Sequence, residues 1–265
     1  MDIKSIVSNY KKKKITIGVL GGHSALDVCH GATKYGFDTV VVCQKGREKT
    51  YEKYYRRRKD GAGGEKGCVG NIILIDKFGD IVNENVQEEL RGLNTVFIHN
   101  RYFWVYCDYT KVENDFKVPI FGLREGVRLE ERDQPNNQYE ILRKAGIRIP
   151  KIYKSFKEID HLVIVKVNEA QRGYERAFFF ANSEKSFVQE AEKRIRNRQI
   201  TEAALAKAVI EEYIVGAHVN LNFFYSTLDG ELELMGTDTR RQTNLDGFLR
   251  LPAQEQSLIR GYLEP

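Results

Sequence analysis

No apolar run in this 265-residue chain approaches the roughly 18 residues that a membrane-spanning helix needs. The basic start, MDIKSIVSNYKKKK, lacks the apolar core of a secretory signal, so a cytoplasmic protein is expected. Cysteine is scarce: Cys29, Cys43, Cys68 and Cys107 form no CxxC pair, which argues against a zinc site or disulfide framework and for buried free thiols. A GxGxxG dinucleotide fingerprint is absent, as are internal repeats and low-complexity tracts. With 42% hydrophobic and 30% charged residues and only five prolines, the chain reads as globular, long enough for one large or two modest domains. Its net charge of +5 sits in separated clusters, Lys11–Lys14, Arg56–Lys59 and Lys193–Arg198, with no aromatic platform between them. Nucleic acid is therefore not the expected partner; solvated faces or anionic small molecules fit better.

Ile15–Leu20 is an apolar strand followed at once by Gly21-Gly22, His23 and Ser24. From Ala25 the apolar spacing turns helical through Leu26, Val28, Cys29 and Ala32, with Gly36 as a stop and Ser24 as an N-cap. Strands follow at Phe37–Cys43, Asn71–Asp76 and Thr95–His99, with a helix at Val86–Leu93. The intervening Gln44–Lys59 and Gly61–Cys68 read as a charged loop and a flexible surface insertion. Residues 1–125 are thus expected to form a parallel α/β domain. Residues 126–265 read as α+β: a helix at Asn136–Ala145, strands at His161–Val167, Phe178–Ala181 and Val209–Val215, and a helix with Phe187, Ala191 and Ile195 as its stripe. Val219–Ser226 alternates like a half-buried strand and turns at Asp229-Gly230 into Glu231–Met235.

Chemistry concentrates at a few points. His23 and Ser24 stand where a strand hands over to a helix, a place that suits an anion; the plain alternative is a capping serine beside a loop histidine. Lys166 ends the β-branched run Val163-Ile164-Val165, so it is either a phosphate-binding ammonium or a solvated strand end. Glu211-Glu212 followed by Tyr213 and Ile214 suggests a hinge strand offering backbone groups to a base and carboxylates to ribose hydroxyls or metal, or else a solvated acidic edge. His218 and Asn222 share one face of the next strand and border the same region.

The lysine strand, the EEYIVG hinge, and the segments ITIGVLGGHSALDVCHGATKYGFDTVVV, VENDFKVPIFG, YEILRKAGIRIPKIY and NLDGFLRLPA together resemble the ATP-grasp superfamily, in particular the archaeal PurP-type, formate-dependent formylaminoimidazole-carboxamide ribotide synthetases. The resemblance runs from about Lys14 to Ala253. It implies a pre-ATP-grasp-like parallel domain that binds ribotide, then an ATP-grasp-like domain lacking its C-terminal metal-binding part. It implies an ATP- and Mg2+-using ligase that formylates aminoimidazole-carboxamide ribotide with formate, and a homo-oligomer is expected. His23, Ser24, Arg101 and Arg240 would then hold the ribotide. Lys166 and Arg124 would hold the ATP phosphates, with Glu211, Glu212, Tyr213, Ile214, His218 and Gln242 completing the nucleotide site. No catalytic residue and no metal ligand is assigned. The chain departs from the family pattern in three places: Arg101 replaces a serine after His99-Asn100, Gln242 replaces a glutamate, and Asn168–Arg176, with Arg172 and Arg176, replaces a glycine-rich phosphate loop. The late acidic metal-binding segment is not found. These departures keep a second reading open, a paralogue that binds nucleotide or ribotide without turnover, and a third, a nucleic-acid binder using Arg56–Lys59.

Overall fold

A computed structural model describes residues 2–11, 13–61, 63–129, 135–167, 178–214 and 218–241, and the single positions 253 and 256. The chain divides into two compact units, Met1–Ile141 and Leu142–Pro265.

In the first unit, α1 (Ile3–Ser8) precedes β1 (Thr16–Leu20), α2 (Ala25–Lys34) and β2 (Asp38–Gln44). A π-helical turn at Thr50–Tyr54 and a short hairpin, β3 (Arg58–Lys59) with β4 (Glu65–Lys66), lead to β5 (Asn71–Ile75). A 3-10 turn at Phe78–Val82 is followed by α3 (Glu84–Gly92), β6 (Thr95–Phe97), α4 (Arg101–Tyr106), α5 (Tyr109–Asn114) and α6 (Gly126–Leu129). α7 (Gln138–Lys144) spans the division between the units.

The sheet has the order β5-β2-β1-β6, and every pairing in it is parallel. Such a sheet is covered on both faces, and β2 shows how its sequence meets that demand. Val40 and Val42 enter one core with Leu20, Phe78, Leu90, Phe97 and Phe103, whereas Val41 and Cys43 enter the other with Val19, Ala25, Cys29 and Val69. Successive β-branched residues thus fill opposite faces, at about 1.5–3 kcal/mol for each large side chain buried. α2 buries Ala25, Cys29 and Ala32, one stripe of a 3.6-residue period. It stops at Gly36, whose φ of +79° closes a cap in which Phe37 N–H donates to Ala32 O (3.1 Å) and Gly36 N–H to Thr33 O (3.0 Å).

All four cysteines are buried and free. Burial pushes the Cys29, Cys43 and Cys107 thiols up to about 12, so they act as small hydrophobes.

The described residues of the Gly61–Cys68 stretch lie largely on the surface, as expected, and carry a short hairpin with anchored ends. β3 and β4 pair, Arg57 reaches Asp38 (2.9 Å), and Thr39 Oγ1 donates to the carbonyl of buried Cys68 (2.7 Å). Gly67 is required there: its φ is +85°, and a Cβ would meet Arg56 O at 2.3 Å.

In the second unit, β7 (Ile152–Tyr153), a 3-10 turn (Phe156–Glu158), β8 (Val163–Lys166), β9 (Phe178–Ala181), α8 (Glu184–Arg196), α9 (Glu202–Leu205) and β10 (Val209–Glu212) precede a ribbon of β11 (His218–Tyr225) and β12 (Leu232–Arg241). The sheet order is β7-β10-β8-β9, antiparallel throughout. One face packs Val163, Val165, Phe179 and Ile210 against Phe187 and Ala191 of α8. Ser183 and Thr201 cap α8 and α9 by accepting from Ser186 and Ala204 N–H.

Two expectations fail in this unit. β10 is an interior strand paired on both sides, not an edge. β11 is not half-buried: Val219, Leu221, Phe223 and Tyr225 are each more than half exposed, and among the described residues it pairs only with β12.

Candidate functional site

In the first unit the chemistry gathers at the carboxyl ends of β1 and β6, where open α/β sheets present ligands to helix N-termini. Gly21-Gly22 carries the chain from β1 towards α2, and both glycines answer a packing demand. A Cβ on Gly21 would meet Cys43 Sγ at 2.7 Å, and one on Gly22 would meet the Tyr102 ring at 2.2 Å. His23 and Ser24 follow, both exposed. Ser24 holds the N-cap position of α2 but does not cap: its backbone is left-handed (φ 64°), and its hydroxyl bonds His23 Nδ1 at 2.7 Å. The first N–H groups of the ten-residue α2 are therefore not answered by this serine.

From β6 the chain runs through His99 to Asn100, which is buried. Its amide donates to Leu20 O (2.8 Å) and accepts from Tyr102 N–H (3.0 Å), locking the end of β1 to the start of α4. Arg101, expected to end a strand, opens α4 instead and is exposed at this same edge. Burial lowers the His99 imidazole below its usual value, so it is neutral at pH 7. The structure thus brings His23, Ser24, His99 and Arg101 to one end of the sheet.

In the second unit the relevant surface is the sheet face opposite α8. β8 alternates, so Val163 and Val165 face the core while Ile164 and Lys166 face the other way. In register, Glu211 lies across from Ile164, with Phe180 and Phe178 opposite Ile164 and Lys166. The ammonium of Lys166 is paired with the Glu211 carboxylate, whose side chain is only 4% exposed. The Tyr213 ring meets Phe180 edge-on at 5.1 Å, and Leu162 and Ile164 complete an apolar floor. A cation held by a buried carboxylate beside a flat apolar floor suits a ligand with an anionic end and a planar end.

Several sequence expectations change. Glu211 is a partner of Lys166, not a free ribose ligand. Glu212 lies on the opposite face and accepts from Lys151 N–H at 3.0 Å, so the two carboxylates never act as a pair. Arg124 is not a free phosphate clamp: its guanidinium donates to the carbonyls of Val112 (2.9 Å), Phe116 (2.9 Å) and Val118 (3.0 Å). Asn222, with Asn220, is committed to Asp238 (3.0 and 2.9 Å). Ile214 follows β10 with its side chain exposed. The side chains of His218 and Arg240, all of Gln242, and Asn168–Arg176 with Arg172 and Arg176 lie outside the described residues. Sequence reasoning missed Phe178 and Phe180; their signal is the register of an alternating FFFA strand.

Among the described residues, no group of three or more His, Cys, Asp or Glu side chains is placed to hold a metal ion. No described helix is long and apolar enough to cross a membrane.

Two family models match the chain: a protein of unknown function (DUF1246) over residues 17–153 and a domain of unknown function (DUF1297) over residues 186–264. The 5-formaminoimidazole-4-carboxamide-1-(beta)-D-ribofuranosyl 5'-monophosphate synthetase of Methanothermobacter thermautotrophicus is 40% identical over 256 residues, 96% of this chain and 66% of the relative. The synthetase of the same name from Methanopyrus kandleri is 35% identical over 264 residues, 100% of this chain and 68% of that protein. The crystal structure of an IMP biosynthesis protein PurP from Thermococcus kodakaraensis shares the fold at a TM-score of 0.54 and 19% identity, over 84% of this chain and 59% of that one. The chain spans about two thirds of the length of the curated relatives it matches. It belongs to the family of the 5-formaminoimidazole-4-carboxamide-1-(beta)-D-ribofuranosyl 5'-monophosphate synthetases.

Proposed function

We propose that this chain carries the ribotide-binding and adenosine-binding parts of an ATP-dependent ligase that joins formate to the amine of an aminoimidazole-carboxamide ribotide. The observation that carries the reading is the Lys166–Glu211 face, where a buried carboxylate fixes an ammonium beside the Tyr213–Phe180 floor. The ammonium serves the nucleotide phosphates, Glu211 positions it, and Tyr213 with Ile214 borders the adenine. In the first unit, the ribotide phosphate sits against His23, Ser24 and the first N–H groups of α2, with Arg101 as the bidentate cation of the same edge.

The overall chemistry balances as two displacements. A formate oxygen attacks the terminal phosphorus of ATP and ADP leaves. The ribotide amine then attacks the formyl carbon, loses a proton, and inorganic phosphate leaves. The test is sustained, multiple-turnover ADP release that requires both formate and the ribotide; sustained release without the ribotide, or none with all substrates present, would end the proposal.

A second reading, binding without turnover, is favoured by one observation: Glu211 already neutralises the ammonium assigned to the phosphates. It predicts saturable ribotide and nucleotide binding with no ADP formed.

A further inference from the structure

Resting on the placement of the ribotide phosphate at the start of α2, we propose that the heterocycle at the other end of that molecule has a subsite of its own. It is made by His99 and the arm Phe121-Gly122-Leu123, and it reads the amine and carboxamide carried by the ring.

The topology sets the place. The sheet order β5-β2-β1-β6 reverses at β1: the chain steps outward to β2 and β5, then returns to the other side of β1. Ligands of open parallel sheets lie outside the carboxyl ends of the strands at such a point. Beyond β6 a further stretch continues the sheet, for Phe97 bridges Ile120 in parallel. Phe97 N–H donates to Pro119 O (2.7 Å), and Phe121 N–H donates to Phe97 O (2.9 Å). Residues 121–123 therefore leave the sheet at the end that carries His23, His99 and Arg101. With neighbouring strands about 4.8 Å apart, the arm stands ~10 Å across this edge from β1. That span suits a sugar phosphate lying over β6 with its ring on the arm.

The arm is held on both sides. The Phe121–Phe97 bond precedes it, and Arg124 follows it, fixed by the carbonyls of Val112, Phe116 and Val118. Phe121 and Leu123 are nevertheless 57% and 58% exposed. Apolar side chains shown to solvent by a pinned backbone offer a planar ring a flat contact. Gly122 between them has a φ of +110°, which other residues rarely adopt, and a Cβ there would meet His99 Nε2 at 3.5 Å. Apart from chain neighbours, no other described atom lies within 4 Å of that point, so the exposed glycine leaves open space in front of the nitrogen.

His99 supplies the polar contact. It is half-buried, and among the described residues none hydrogen-bonds its ring. The next residue, Asn100, is buried and tied to Leu20 O, so the imidazole stands on a fixed backbone. Kept neutral by burial, it has one N–H donor and one bare nitrogen. An amine donates and a carboxamide both donates and accepts, so either tautomer of His99 finds a partner on the ribotide ring. A sugar phosphate without the ring offers this subsite nothing.

The test is calorimetric titration of the full chain with the aminoimidazole-carboxamide ribotide and with ribose 5-phosphate, which keeps the sugar and phosphate and lacks the ring. The ribotide is expected to bind at least about tenfold more tightly. His99→Phe, which keeps a flat ring and removes both nitrogens, and Phe121→Ala are each expected to weaken ribotide binding about tenfold and to leave ribose 5-phosphate binding unchanged. A merely destabilised protein would lose both ligands together. In the wild-type chain, the ribotide and not ribose 5-phosphate is expected to shift the His99 ring-proton resonances. No ribotide binding by the wild-type chain overturns the ribotide reading of this unit and the subsite with it. Ribotide affinity that either variant leaves unchanged, or lowers no more than that for ribose 5-phosphate, overturns the subsite alone, as does a His99 resonance shifted equally by both ligands.

Discussion

Lys166→Met separates what Lys166 does for the fold from what it does for a nucleotide. Methionine keeps the length of the stem and removes the charge, which takes the Lys166 ammonium away from the Glu211 carboxylate, 4% exposed. Removing one partner of a buried ion pair costs about 3–5 kcal/mol. Lys166 is itself 27% exposed, and water entering from that side places the expected loss near ~3 kcal/mol. In urea, with a slope of about 2 kcal/mol/M, this is a fall of roughly 1–2 M in the unfolding midpoint. Replacing the carboxylate as well, in Lys166→Met/Glu211→Gln, removes the buried charge and is expected to recover most of the loss, a coupling of about 2 kcal/mol. The assay is urea unfolding of the four proteins of this cycle, followed by far-UV circular dichroism. If Lys166→Met unfolds at the wild-type midpoint, or the double variant is no more stable than the single one, the pair does not hold this face together.

Arg124→Leu removes three donors to carbonyls of the first unit and is expected to cost roughly 3 kcal/mol in urea unfolding while leaving ATP affinity unchanged; lost ATP binding at unchanged stability would return Arg124 to the phosphates. Asp160, which accepts from the Tyr153 hydroxyl and pairs with His161, is held down at about 2 by those two bonds in that order. Its folded value lies below its unfolded one, so the stability it contributes is full above pH ~4 and is lost as pH falls towards 2. Carboxyl NMR should find that midpoint and see it rise in Tyr153→Phe; a midpoint unmoved by the variant refutes the assignment. The His99 imidazole should titrate below 6.5 by proton NMR, because burial disfavours its charged form, and its contribution to stability is present above the unfolded value and lost as pH falls through the folded one. A midpoint at or above 6.5 contradicts that.

The parallel half was legible because each signal there is local. A β-branched run, a glycine turn, a 3.6-residue stripe and a stop glycine follow one another from Thr16 to Gln44, and the elements fall where they point. α4 and α5 escaped because RYFWVY has no helical stripe, although Asn100 and Asp108 carry the N-cap signal: both accept from backbone N–H groups of the first turn. At the candidate site, the place of His23 after β1 was legible from the strand and its glycine turn, whereas Arg101 was named only through the family resemblance and opens α4. The Lys166–Glu211 pair was not, since it joins residues 45 apart whose meeting depends on strand register. The opposed faces of Glu211 and Glu212 follow from the two-residue period alone, so that error was avoidable. Arg124 was misread because nothing in the sequence says that the carbonyls of Val112, Phe116 and Val118 converge on it.

The central claim is that the second unit binds ATP through Lys166 and the first binds the ribotide through the edge at Arg101. Titration calorimetry of the full chain tests it most directly, with ATP in the presence and absence of Mg2+ and then with the aminoimidazole-carboxamide ribotide. Saturable ATP binding that disappears in the folded Lys166→Met/Glu211→Gln protein, and ribotide binding that disappears only in Arg101→Ala, is the predicted result. No ATP uptake by the wild-type chain, or ATP binding that survives loss of the Lys166 charge, contradicts it.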